Sequence, residues 1–224
     1  MEGSIRIAEH LAEDWMIWLV IAALAGLAWA KYSYNSYVGL LTSGLFNYRL
    51  MRQEIREVPV LSRRGLVAMI PFSLIFWTLL LYALLKWKSP ELATNPGDLM
   101  LQIIIFFVGV YVLKFVVIQL LEGLLGKEFG LEEYLFNVFY FLEFVALVGF
   151  PFLLLFIYFP LDQLQWLAYI LFFLSVTSYV WRLIRGIQGA LSYRAPLIYI
   201  ILYLCTLEIL PMLVLYRLAE YQIA

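Results

Sequence analysis

The chain is written in long apolar runs separated by short clusters of charge, glycine and proline. The runs cover Trp15 to Ala30 (to Tyr34 with its interface), Leu66 to Leu85, Leu99 to Leu121, Tyr134 to Phe159, Leu164 to Trp181, and the stretch between Arg194 and Arg217. Runs of this kind match the roughly 20 residues that a helix needs to cross about 30 Å of hydrocarbon. Strands of a membrane barrel would alternate in blocks of about ten residues, and that pattern is missing here. The expectation is an all-α polytopic membrane bundle of about six transmembrane helices plus an interfacial helix. The interfacial helix is placed at about Ser43 to Arg56, where Leu45, Phe46, Leu50, Met51 and Ile55 fall on one face beside charged positions.

Local signals refine this plan. Trp15, Trp18, Trp29, Tyr32 and Tyr34 bracket the first span as an aromatic belt. Ala22, Ala25, Gly26 and Ala28 let another helix approach closely; packing inside the bundle is the ordinary reading and a dimer face the alternative. Pro90, Asn95, Pro96 and Gly97 mark a turn. The fourth run is longer than a perpendicular crossing needs, so a tilt or a kink at Pro151 is expected. The domain plan is an amphipathic N-terminal tail (1–14), a six-span domain (15–217) with a basic inner loop (31–64), and a short C-terminal tail (218–224).

Composition removes alternatives. Hydrophobic residues make up 65% of 224, too many for a soluble domain of this length. A net charge of −1 points to no nucleic-acid partner. With His10 and Cys205 as the single histidine and cysteine, the chain by itself supplies no bis-histidine haem site, histidine-clustered metal site, Ser-His dyad or internal disulfide. No cofactor is therefore expected. The segment before the first run carries Glu2, Glu9, Glu13 and Asp14, unlike the basic start of a signal peptide. Six spans divide the outlying cations ten against four. Lys31, Arg49, Arg52, Arg56, Arg63, Arg64, Lys127, Arg182, Arg185 and Arg194 fall on one side, and Arg6, Lys86, Lys88 and Arg217 on the other. By the positive-inside rule both termini are expected outside.

Charges within the runs need a reason, since an acidic side chain near the centre of a membrane helix costs about 2.5 to 3.5 kcal/mol on an insertion scale. Counting about 1.5 Å per residue, Lys114 lies about 10 Å from the inner end of its span, Glu143 about 14 Å and Glu208 about 18 Å. With the hydroxyls of Thr177 and Ser178 they form a candidate intramembrane polar cluster. Pro211 adds a kink and leaves the Leu207 carbonyl without its helical donor. Two readings stay open. The carboxylates titrate in a hydrated cavity with Lys114 as counter-charge; or Lys114 and one glutamate form a static pair while the other donates a hydrogen bond. Arg49, Arg52, Arg56, Arg63, Arg64, Arg182, Arg185 and Arg194 form a candidate surface for lipid or a partner, with topological anchoring as the plainer alternative.

The stretch LYLCTLEILP at 202–211, with YRAPLIYI upstream, resembles an uncharacterised family of polytopic inner-membrane proteins of Bacteroidota, a domain of unknown function. The resemblance implies an inner-membrane location in a diderm bacterium and constraint around Glu208 and Pro211, and it implies no activity. The function expected is that of a non-catalytic inner-membrane subunit of an envelope assembly, in contact with the lipid bilayer and with other membrane proteins or its own copies. The alternative is a small proton- or cation-coupled transporter or channel using Glu143 and Glu208, with a lipid-modifying enzyme third.

Overall fold

A computed structural model describes residues 11–43, 64–88, 96–125, 131–159 and 161–192. Six helices account for almost all of them: α1 Met16–Ser33, α2 Asn35–Ser43, α3 Arg64–Lys88, α4 Pro96–Leu125, α5 Leu131–Tyr158 and α6 Leu161–Ser192. Five of these, all but α2, are long and apolar enough to cross a membrane. The expected sixth span with Glu208 and Pro211, the interfacial helix, and Arg49, Arg52, Arg56, Arg63 and Arg194 lie outside the described residues.

α3 and α5 form the centre. α3 packs on α1, α2, α4 and α5, and α5 packs on α2, α3, α4 and α6. The two bury the largest shares of their apolar windows, whereas α1, α4 and α6 leave most of theirs exposed. Large apolar side chains such as Trp18, Ile105, Leu120 and Phe173 therefore cover the outside. In water such a surface would drive aggregation, and in a bilayer it is the solvated face. Close approach of α3 to α5 depends on Gly149, where a Cβ would sit 2.7 Å from Phe76 Cζ. Phe72 of α3 meets Phe150 of α5 at a centroid distance of 5.3 Å. Pro71 and Pro151 sit within continuous helices on exposed positions, away from these contacts.

Two findings differ from the pattern reading. Ala22, Ala25 and Ala28 are exposed, and a Cβ at Gly26 would meet nothing within 4 Å. α1 instead packs inward through Met16, Val20, Ala23 and Ala30, so among the described residues its small-residue face is not used for packing. Residues 35–43, read as the start of a basic connector, form a helix that turns back on the bundle. Tyr34 ends α1, its N–H still bonded to the Ala30 carbonyl at 2.8 Å. The chain then re-enters, burying Tyr37 and Leu41.

The opposite end of the bundle is closed by a polar clasp. Glu13, just before α1, accepts hydrogen bonds from Lys86 at 2.5 Å and Tyr82 at 2.7 Å on α3 and from its neighbour Trp15. Lys86 also donates to the Leu11 carbonyl at 3.2 Å. Trp15 packs edge-on against Tyr82 at 5.4 Å. Burial raises the pKa of Glu13, but the bonds from Lys86, Tyr82 and Trp15, with the Lys86 charge, outweigh it and hold the carboxyl below its ordinary value.

Candidate functional site

The inward stripes of α4 and α6 change character along their length. On α4 the buried positions Leu99, Ile103, Tyr111, Lys114 and Ile118 follow helical spacing, so Lys114 occupies a core position. On α6 the apolar Leu167, Ala168 and Leu171 give way to Ser175, Ser178, Arg182 and Arg185 at steps of three and four. α4 packs on both α3 and α5, and α6 on α5, and both stripes become polar toward the same end, the end where α3 begins.

Glu143 of α5 is fully buried, and its Oε2 accepts a hydrogen bond from the Tyr37 hydroxyl at 2.6 Å. One turn earlier Tyr140 donates to the Leu41 carbonyl at 2.9 Å and more weakly to that of Leu40 at 3.3 Å. These carbonyls belong to the last turn of α2, where intrahelical donors run out. Positions three apart share a helix face, so α5 holds α2 by two polar contacts from one face. A Cβ at Gly65 would lie 2.7 Å from the Tyr37 Cβ, so this glycine lets α2 seat against α3. Tyr37 was not singled out from the sequence; its signal was the Ser33–Tyr34–Asn35 break followed by apolar residues inside a nominal loop.

The second oxygen of Glu143, Oε1, has no hydrogen-bond partner among the described residues, and neither has Asn137 Oδ1 on the same helix. Glu143 is thus met by Tyr37 and not by an ion pair with Lys114. Tyr111 of α4 lies within electrostatic reach of both Glu143 and Arg182, and its hydroxyl is 3.3 Å from that of Ser73 on α3. Ser73 in turn donates to the Ile70 carbonyl at 2.9 Å.

Beside this cluster a cavity of about 420 Å³ lies between α3, α4, α5 and α6. Its walls are mostly apolar, from Trp77 and Leu81 to Val110, Leu142 and Phe172. Its polar contributors are Tyr111, Lys114, Ser175, Ser178, Tyr179 and Arg182. Lys114 and Arg182 are 8% and 5% exposed. The Arg182 guanidinium lies 4.8 Å over the Tyr179 ring, and that of Arg185 5.4 Å over Phe141. Ser175 donates to the Leu171 carbonyl at 2.8 Å.

Of the sequence-predicted cluster, Lys114 and Ser178 come together at this cavity, Glu143 lies behind it, and Thr177 is exposed on the outer surface of α6. Arg182 and Arg185 are buried beside the cluster, while Arg64 is exposed at the start of α3. Among the described residues no three histidine, cysteine, aspartate or glutamate side chains gather as a metal site would require.

A bundle of long apolar helices with its polar groups turned inward defines a helical membrane protein. More narrowly, residues 16–219 match the family described as a domain of unknown function, DUF4271, and the chain belongs to that family. Searches of curated proteins and of solved structures found no match.

Proposed function

We propose that this protein is a non-catalytic integral subunit of a larger membrane assembly in the inner membrane of a Bacteroidota bacterium. It docks partner membrane proteins through α1, and its buried polar cluster fixes the bundle that presents this helix. The carrying observation is the outward small-residue face of α1, Ala22, Ala25 and Ala28, which is exposed and packs on none of the described helices. Without a hydrophobic drive between helices in lipid, association relies on close backbone approach, and small residues permit it. The Tyr37–Glu143 and Tyr140–Leu41 contacts are spent on seating α2, which suits a structural part for the polar cluster. The test is a mild-detergent purification of the tagged protein from native membranes, wild type beside an Ala22→Leu, Ala25→Leu double variant. A stoichiometric partner lost in the variant, with its melting temperature unchanged, supports docking through α1. The same lone species in both samples would reject it.

A second reading rests on Glu143 Oε1, close to the cavity and without a hydrogen-bond partner among the described residues. A carboxyl held by a single hydrogen bond deep in a bundle is the group a proton- or cation-coupled transporter would use, with Glu208 as a second site. Flux of protons into liposomes carrying the purified protein, abolished in Glu143→Gln, would favour this reading over the subunit role.

A further inference from the structure

We infer that the gap between α4 and α6 is the docking site of this chain's own last apolar stretch, the residues between Arg194 and Arg217, which close the cavity over α5. Three observations converge on that occupant. The first is the gap itself. α4 packs on α3 and α5, and α6 packs on α5, but α4 and α6 make at most a marginal contact with each other. Between them lies the cavity of about 420 Å³, floored by α3 and α5 through Trp77, Leu81 and Leu142. Packed interiors leave few voids larger than a water molecule, so a space of this size takes an occupant. Phe172 and Val176 of its wall are also exposed on the outside of the bundle, so it opens sideways, where a helix can cover it.

The second is where the chain goes. α6 ends at Ser192, and Pro196 both opposes its continuation and suits the first turn of a new helix. The apolar stretch that follows is long enough to cross the hydrocarbon. Consecutive elements joined by a short connection usually lie side by side, here antiparallel because the stretch must return across the membrane. One flank of α6 is taken by α5, and the cavity lies on the flank beside it. The third is depth. Glu208 stands 12 residues past Pro196 and Val180 stands 12 before Ser192, so an antiparallel return brings them level, about 18 Å from the turn. Near that level the lining of α6 carries Ser178 and Tyr179. A carboxyl within a span faces such a lining and not lipid. Ile209 to Leu215 then run on past Ser175, whose hydroxyl is already given to the Leu171 carbonyl, toward Phe172. The outer face of α1, by contrast, presents Trp18, Ile21 and Leu24 and would leave Glu208 among apolar side chains.

The experiment is disulfide cross-linking of the whole chain in native membranes, in a Cys205→Ser background. Ile209→Cys, Leu210→Cys, Met212→Cys and Leu213→Cys are each combined with Val110→Cys on α4 or Val176→Cys on α6, near the middle of the lining on each helix. Oxidation is expected to give a faster-migrating monomer, abolished by dithiothreitol, for at least one of these positions with each helix, and no such band with Ala25→Cys on α1. The pairs fold or fail independently, so one unstable variant does not decide the result. Links to one of the two helices only, or to neither, would overturn the proposal, and links to neither would leave the gap to a lipid chain or a partner's helix. So would a link to Ala25→Cys, or one that joins two copies, which would name a second copy's stretch as the occupant.

Discussion

At the scale of single residues, the most informative contact is the one between Tyr37 and Glu143. The hydroxyl donates to a carboxyl that has no other hydrogen-bond partner among the described residues. Removing the donor leaves a buried acceptor unsatisfied, which costs about 1–3 kcal/mol. Tyr37→Phe is thus expected to destabilise the protein by about that amount in detergent unfolding. Glu143→Gln keeps an acceptor for the same hydroxyl and should cost less, about 1 kcal/mol. If the glutamine variant proves the more damaging, the Tyr37 bond is not what Glu143 supplies. Glu13 offers a pH test. Its folded pKa lies below its ordinary value of 4.5, so its contribution is fully present above that value and is lost as pH falls through the folded pKa. The melting temperature of wild type should drop toward that of Glu13→Gln as the pH is lowered below 4.5. A constant difference between the two proteins down to pH 3 would show that the clasp with Lys86 does not titrate with Glu13.

At the scale of elements, the spans were legible because burial in lipid and in protein both demand apolar side chains, and the first four runs coincide with α1, α3, α4 and α5; α6 instead runs on to Ser192, through residues read as a basic connector. α2 was not. Nine residues carrying Asn35, Ser36, Thr42 and Ser43 read as connector, and their helix is stabilised by Tyr140 and Glu143, residues about a hundred positions away. Lys114 and Ser178 were legible as special, but Arg182 was read as an anchor because it follows the apolar run. The three-four spacing of Ser175, Ser178, Arg182 and Arg185 would have joined it to the same stripe and left Thr177 out. The α3–α5 contact carries a prediction of its own. A methyl at position 149 would meet the Phe76 ring at 2.7 Å, inside any tolerable contact. Gly149→Ala should destabilise the bundle by about 1–3 kcal/mol through overpacking. Combining it with Phe76→Leu should recover part of the loss, and a full additive loss would mean that the strain lies elsewhere.

At the scale of the whole molecule, the open question is which end of the bundle faces the cytoplasm. The chain of contacts fixes the relative ends: Glu13 at the start of α1 meets Lys86 at the end of α3, and Trp87 beside it meets Phe156 near the end of α5 and Tyr169 near the start of α6. Lys114, Arg182 and Arg185 therefore lie toward the other end, with Lys31 and Arg64. The positive-inside rule, under which short loops rich in lysine and arginine resist translocation, predicts that this end faces the cytoplasm. The two loops give opposite signals when labelled. In a Cys205→Ser background, Ala93→Cys should react with an impermeant maleimide in intact spheroplasts, and Gly126→Cys only after permeabilisation. The reverse pattern would turn the molecule over and reject the orientation that the charge bias predicts.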